Sequence, residues 1–243
     1  MNITRETPVG AIVAERLGRA RVFERLGIDY CCHGATPLGE ACKKLSLDVG
    51  RVLAELAESD QRGASEDADR VDYSAMSASS LADHIVSTHH AYLYEELPRL
   101  AGLIDKVVAA HSGNHPELVD LRRTFAALQQ ELEMHLMKEE RVLFPLVKQL
   151  EAARQPFSIH CGTVENPIRV MEHEHDSAGS ALERIRELTN RYQVPADGCA
   201  SFTALYDGLS RLESDLHLHI HKENNILFPK AAALESALLA SKT

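Results

Sequence analysis

Two segments of this chain set an imidazole and a carboxylate one helical turn apart. One is HLMKEERVLFP, from His135 to Pro145; the other is HIHKENNILFP, from His219 to Pro229. In both, His-x-x-x-Glu comes shortly before Phe-Pro. On an α-helix positions i and i+4 share a face, so each segment offers a nitrogen and a carboxylate donor side by side. Two such pairs turned toward each other across a helical core would form a metal site with its donors already arranged. A single histidine on an apolar face is usually a hydrogen-bonded core residue. A buried glutamate is different, because an uncompensated buried charge costs several kcal/mol or must be neutralised.

The elements that carry these donors follow from the period of the apolar residues. From Ser79 onward it is helical, and it predicts four long helices at about 79–110, 116–151, 165–191 and 198–238. The breaks HSGNHP, ARQPFSIHCGTVENP and RYQVPADG carry Gly, Pro and Asn. Pro98, Pro145 and Pro229 lie within or near the ends of helices, where they are expected to kink or end them. The expected fold is all-α: an up-down-up-down four-helix bundle over 76–243. A small helical module over 1–58 precedes it, with helix starts at Thr7-Pro8 and Thr36-Pro37 and a C-cap at Gly27. Residues 59–75 (SDQRGASEDADRVDYSA) are polar, lack apolar periodicity and read as a linker.

Each bundle helix has one apolar stripe, and each stripe is interrupted at one level. The second runs Leu121, Phe125, Leu128, Leu132, His135, Glu139, Val142, Leu146; the fourth runs Leu209, Leu212, Leu216, His219, Glu223, Ile226. The first is broken by His90 between Val86 and Leu93, and the third by His175 between Met171 and Ala178. No stripe carries Lys or Arg at that level. The candidate ligands are therefore His90, His135, Glu139, His175, His219 and Glu223. His89, His173, His217 and His221 fall on more mixed faces and are expected to be exposed. His89 and His173 keep the spacing of the duplicated motif while His90 and His175 miss it by one residue, which a loop insertion between the repeats explains.

Four imidazoles and two carboxylates exceed what one tetrahedral zinc needs, and structural zinc favours thiolates. Carboxylates bridge metals, and mixed nitrogen and oxygen ligation suits iron or manganese. The expectation is a dinuclear centre bridged by Glu139 and Glu223, with positions left open for dioxygen or nitric oxide. The Glu-x-x-His spacing of ferritin-like sites occurs only at Glu172 and His175, so that reading is weaker.

Composition excludes other classes. A net charge of −10 argues against an electrostatic nucleic-acid binder. No apolar run approaches the ~20 residues that span a bilayer. The start MNITRETPVG lacks the pattern of a signal peptide. Five cysteines, with Cys31 and Cys32 adjacent, do not look like an extracellular disulfide framework. The expected location is the cytoplasm, with reduced thiols and with neither membrane nor nucleic acid as partner.

These residues resemble a known family. The helical part is similar to hemerythrin-like domains, and nearly the whole chain resembles the RIC family, the di-iron proteins for repair of iron centres. DYCCHG in the small module, MEHEHDSAG at 171–179, HLMKEERVLFP and HKENNILFP carry the resemblance. It implies two iron ions held by His90, His135, Glu139, His175, His219 and Glu223, the set that the stripes select. Oxygen-carrying hemerythrins have His-x-x-x-His on the third helix, whereas here Met171 and Gly179 stand four residues from His175. That departure implies a more open site and argues against oxygen carriage. The implied function is repair of iron-sulfur clusters damaged by nitrosative or oxidative stress, by iron donation, with damaged iron-sulfur proteins as partners. Alternatives are a nitric oxide sink or sensor and a di-iron nitric oxide reductase; all three need the same ligands. For Cys31 and Cys32 the functional reading is transient iron ligation, thiol redox chemistry or docking to a damaged protein, against plain packing of the module. Cys42, Cys161 and Cys199 are expected to be structural. Whether the module folds on the bundle or pairs with a second copy of the chain stays open.

Overall fold

The computed structural model describes residues 2–63 and 71–240, so residues 64–70 of the expected linker lie outside the described residues. In chain order the helices are α1 (Val9–Glu15), α2 (Ala20–Leu26), α3 (Leu38–Lys44), α4 (Val49–Gly63), α5 (Ala78–Ile85), α6 (Ala91–His111), α7 (Glu117–Lys138), α8 (Phe144–Ala152), α9 (Glu165–Leu188), α10 (Ala200–Lys222) and α11 (Phe228–Ala240). Single π-helical turns join α5 to α6 (Val86–His90), α7 to α8 (Glu139–Leu143) and α10 to α11 (Glu223–Leu227). No strand occurs among the described residues, and no helix among them is long and apolar enough to cross a membrane. The chain divides into two compact units.

The first unit, Asp83–Gln149 with Phe157–Leu216, holds the expected four-helix core. Leu93, Leu97, Leu100 and Ile104 of α6 pack with Leu121, Phe125, Leu128 and Leu132 of α7. Ala178, Leu182 and Ile185 of α9 and Phe202, Leu205, Leu209, Leu212 and Leu216 of α10 complete it. Burying each such side chain stabilises the fold by roughly 1.5–3 kcal/mol, which is why the stripes locate the core. Pro98 does not end its helix: α6 runs through it. The proline costs about 3 kcal/mol, and the buried leucines on both sides of it outweigh that. The third helix stops at Leu188, before the expected 191, because Asn190, Arg191 and Tyr192 all take positive φ.

Phe-Pro explains two of the π-turns. Phe144 N–H donates to the Glu139 carbonyl and Phe228 N–H to that of Glu223, five residues back rather than four. The next residue, Pro145 or Pro229, has no N–H, and its ring would meet the carbonyl four residues back in a regular turn. Widening the turn absorbs the proline, and the helices continue as α8 and α11. The added residue also rotates everything beyond it by about 100°. Val142, expected on the stripe, lies within the second π-turn and is 53 % exposed, while its neighbour Leu143 is 1 % exposed; Ile226, at the matching place in the third π-turn, is buried.

The second unit comprises the chain up to Ala82, Leu150–Pro156 and the chain from His217 onward. Val9, Ile12, Val13, Phe23, Tyr30, Leu38 and Leu56 form its core with Ile220 from the end of α10. The small module thus shares its core with the last bundle helix of its own chain. Gly27 ends α2 in the left-handed region, φ 72°, with its N–H on Glu24, as the C-cap reading expects. Helix α4 continues to Gly63, past the expected start of the linker. At the start of α5, Ala78 and Ser79 donate their N–H groups to the Glu151 carboxylate, at 2.8 and 3.0 Å. A carboxylate there satisfies two otherwise orphan donors and complements the positive end of the helix.

Candidate metal centre

Four candidate ligands lie in the four-helix unit, and all are buried. His90 ends the first π-turn, His135 sits in the last turn of α7, Glu139 opens the second π-turn, and His175 lies in mid α9. The Glu139 carboxylate has Oε2 3.4 Å from His90 Nε2 and Oε1 3.4 Å from His135 Nε2. His135 Nε2 is 3.1 Å from His175 Nε2. One carboxylate therefore presents a different oxygen to each of two histidines. His90 also stacks on the Phe144 ring, centroids 5.6 Å apart, so the Phe of the duplicated motif supports a histidine from another helix.

The outer nitrogens of two of these histidines meet carboxylates that the sequence reading missed. His90 Nδ1 is 2.8 Å from Glu140, which also accepts the Tyr94 hydroxyl at 3.1 Å. His135 Nδ1 is 2.9 Å from Glu174, whose other oxygen takes Lys138. Burial raises the Glu174 pKa, but the hydrogen bonds from Lys138 and His135 outweigh it and hold the carboxyl below its usual range. A carboxylate on Nδ1 keeps the proton on that side and leaves the Nε2 lone pair directed inward, as metal-binding histidines require. Glu140 follows Glu139 and Glu174 precedes His175, so adjacency to a ligand was the one available signal; the partner across the helices was not.

In the second unit His219 and Glu223 form the other buried pair, Nε2 to Oε1 2.9 Å, with Glu223 opening its π-turn as Glu139 does. The donors of both units are imidazole nitrogens and carboxylate oxygens without a thiolate. That set fits iron and does not fit a structural zinc site.

Two histidines expected to be exposed are buried. His89 turns inward to Asp215, Nδ1 to Oδ1 2.9 Å. His221 is covered by the small module: its ring packs edge-on against Tyr30, centroids 5.4 Å apart, and its Nδ1 is 3.4 Å from the Tyr30 carbonyl. Burial lowers its pKa to about 4, and it stays neutral. His173 is exposed as expected, and His217 is half-buried.

The cysteine turn is built on Asp29. Its Oδ1 accepts the N–H groups of Cys31 and Cys32 at 3.1 and 3.0 Å, and Oδ2 takes His33 Nδ1 at 2.5 Å. The two sulfurs are 3.8 Å apart. The hydrogen bond with Cys32, then burial, pushes the Cys31 thiol well above its ordinary range. Cys42 is buried and its thiol is pushed up by that burial, in keeping with a structural role.

Cys199 corrects the expectation of a structural thiol. It is exposed just before α10, with His111 Nε2 3.2 Å from Sγ. The Phe202 N–H at the start of the helix, then His111, bring its pKa down to about 7. Peptide-resolved alkylation with iodoacetamide across pH should give Cys199 a half-maximal rate near pH 7, and His111→Gln should move that midpoint upward. A midpoint in the ordinary thiol range for the unaltered chain would contradict the pairing.

Comparison with known proteins agrees with this arrangement. Residues 81–231 match the hemerythrin HHE cation binding domain, and residues 5–60 match ScdA_N, a domain of unknown function (DUF542). The iron-sulfur cluster repair protein YtfE of Edwardsiella ictaluri is 37 % identical over 93 % of this chain and 97 % of its own length. The protein of that name from Escherichia coli O157:H7 is 35 % identical over 95 % of this chain and 99 % of its own. A probable iron-sulfur cluster repair protein of Haemophilus influenzae is 37 % identical over 88 % and 91 %. With both domains matched in order and relatives aligned over nearly its whole length, the chain belongs to the RIC family, a cysteine-containing N-terminal module followed by a hemerythrin domain.

Proposed function

We propose that this protein repairs iron-sulfur clusters damaged by nitrosative or oxidative stress in the cytoplasm, by giving up iron from a dinuclear site. Residues 1–58 would be the cysteine-pair module, 59–75 the linker and 76–243 the iron-holding bundle. The ligands would be His90, His135, Glu139, His175, His219 and Glu223, with Glu139 and Glu223 bridging. The observation that carries this reading is the buried Glu139 carboxylate, with one oxygen toward His90 and the other toward His135. The duplicated motif supplies the matching pair, His219 and Glu223. When bound, the irons supply the cargo for donation and open coordination positions for nitric oxide. The chain's own part is to hold the Nδ1 sides of His90 and His135 on Glu140 and Glu174, leaving Nε2 directed inward, and to exclude water by burial. Met171 is buried on the helix of His175, and its thioether is too soft to hold an iron that prefers oxygen and nitrogen. A site with fewer firm ligands releases its metal more readily.

Damaged iron-sulfur proteins are the partners of this reading. A hydratase whose cluster has been destroyed by nitric oxide should regain activity when given the iron-loaded protein. Glu139→Ala with Glu223→Ala should not restore it. Cys31→Ser with Cys32→Ser should keep the iron and bring restoration down to the level of buffer alone. Equal restoration by the glutamate variant would remove the site as the agent. The same open positions favour nitric oxide as a ligand, and stopped-flow mixing of the diferrous protein separates the two nitric oxide readings. Stoichiometric trapping indicates a sink, and nitrous oxide release over many turnovers indicates a reductase.

A further inference from the structure

The two copies of the duplicated motif diverge immediately after their shared Lys-Glu. The copy on α7 continues Glu140-Arg141, and the copy on α10 continues Asn224-Asn225. Glu140 serves a histidine ligand, as described above. The asparagines serve the cysteine turn. Asn225 Nδ2 donates to the carbonyls of Cys31 at 3.0 Å and Tyr30 at 3.3 Å, and Asn224 Nδ2 donates to the Cys31 carbonyl at 3.3 Å. Carbonyl acceptors require donors, so a glutamate at either position would face them with repulsion. An amide supplies two N–H donors without a charge to bury.

The fit around Asn225 is close. Gly10 N–H donates to the Gly34 carbonyl at 2.8 Å, joining α1 to the end of the DYCCHG turn. A Cβ on Gly10 would lie 2.2 Å from Asn225 Oδ1, and one on Gly34 would lie 2.0 Å from it. Two glycines are therefore needed to admit this one amide. Both asparagines belong to the π-turn that Glu223 opens, so a candidate metal ligand and the clamp on the cysteine turn share five consecutive residues.

We propose that Asn224 and Asn225 are positioning residues that couple the metal site to the cysteine pair, so that iron held by Glu223 fixes the π-turn and thereby the reactivity of Cys31 and Cys32. This rests on the reading of His219 and Glu223 as iron ligands.

The test uses the full chain, metal-free and iron-loaded, pulsed with N-ethylmaleimide and analysed peptide by peptide, with iron measured on the same samples. In the unaltered protein, iron should slow labelling of Cys31 by about tenfold, within the span of usual coupling strengths. Cys199, in the other unit, should label at one rate in both states. Asn225→Ala should keep its iron and lose the difference at Cys31. Asn225→Asp, which keeps the shape and removes the donor, should do the same, separating loss of the hydrogen bond from loss of packing. Iron-loaded protein whose Cys31 labels as fast as the metal-free form overturns the coupling and leaves the metal site standing. So does an Asn225→Ala chain that keeps the full difference. A chain that takes up no iron overturns both, and the iron measurement distinguishes that case.

Discussion

Replacing Glu139 by alanine should cut the iron content of the loaded protein at least by half, from the two per chain proposed to below one, with helicity unchanged. Glu139 is the carboxylate that faces two histidines at once, 3.4 Å from each. In the proposed site its loss would remove a bridging position and also a negative charge that offsets bound cations. Glu140 and Glu174 give the contrast. Each meets its histidine at the outer nitrogen and not at Nε2, so Glu140→Ala or Glu174→Ala should weaken iron binding by about 10–100-fold and still reach full loading at saturating iron. Calorimetry supplies an independent sign. Glu139 is 0 % exposed, and keeping a carboxylate there without metal costs stability. Metal-free Glu139→Ala should therefore melt no lower than the metal-free parent, while the gain in melting temperature on adding iron shrinks sharply. A variant that still binds two irons, or that simply unfolds without metal, would show that Glu139 serves packing.

The burial of His90, His135, Glu139, His175, His219 and Glu223 was legible because an amphipathic helix writes its buried face at a fixed period. The period failed where the backbone departed from 3.6 residues per turn. Within the second π-turn Val142 is exposed and Leu143 is buried, and the widened turn ahead of Pro145 acts on register rather than on polarity. His89 and His221 were misread for another reason. A mixed face reads as solvent-facing unless something covers it, and the covers here are Asp215 and the turn at Tyr30. The lowered pKa of Cys199 comes first from the Phe202 N–H, a local contact, and then from His111, 88 residues away in the chain, a pairing no local pattern encodes. Glu140 and Glu174 were hidden in the same way, since their histidines lie on other helices.

Gly34→Ala is the second large effect expected, and its origin is separable. Gly34 does not have positive φ, so alanine can adopt its backbone conformation and the cost is steric. The added methyl would sit 2.0 Å from Asn225 Oδ1. Either Asn225 leaves, giving up the Tyr30 and Cys31 carbonyls, or the cysteine turn moves off its helix. Overpacking of this kind costs about 1–3 kcal/mol, and each carbonyl left without its amide adds about 1 kcal/mol. Asn225→Ala alone forfeits the hydrogen bonds but creates room. Gly34→Ala combined with Asn225→Ala should therefore be less destabilised than the two single changes added together, by roughly 0.5–3 kcal/mol in urea unfolding of the full chain. Gly10→Ala should be rescued less completely, because its Cβ would also lie 2.9 Å from the Gly34 Cα. Gly27→Ala is the control. No atom lies within 4 Å of the Cβ it would gain, but φ is 72°, so its cost is backbone strain and Asn225→Ala should leave it untouched. If the Gly34 and Asn225 changes add as the Gly27 and Asn225 changes do, Gly34 is not there to admit the amide, and the clamp on the cysteine turn loses its strongest structural support.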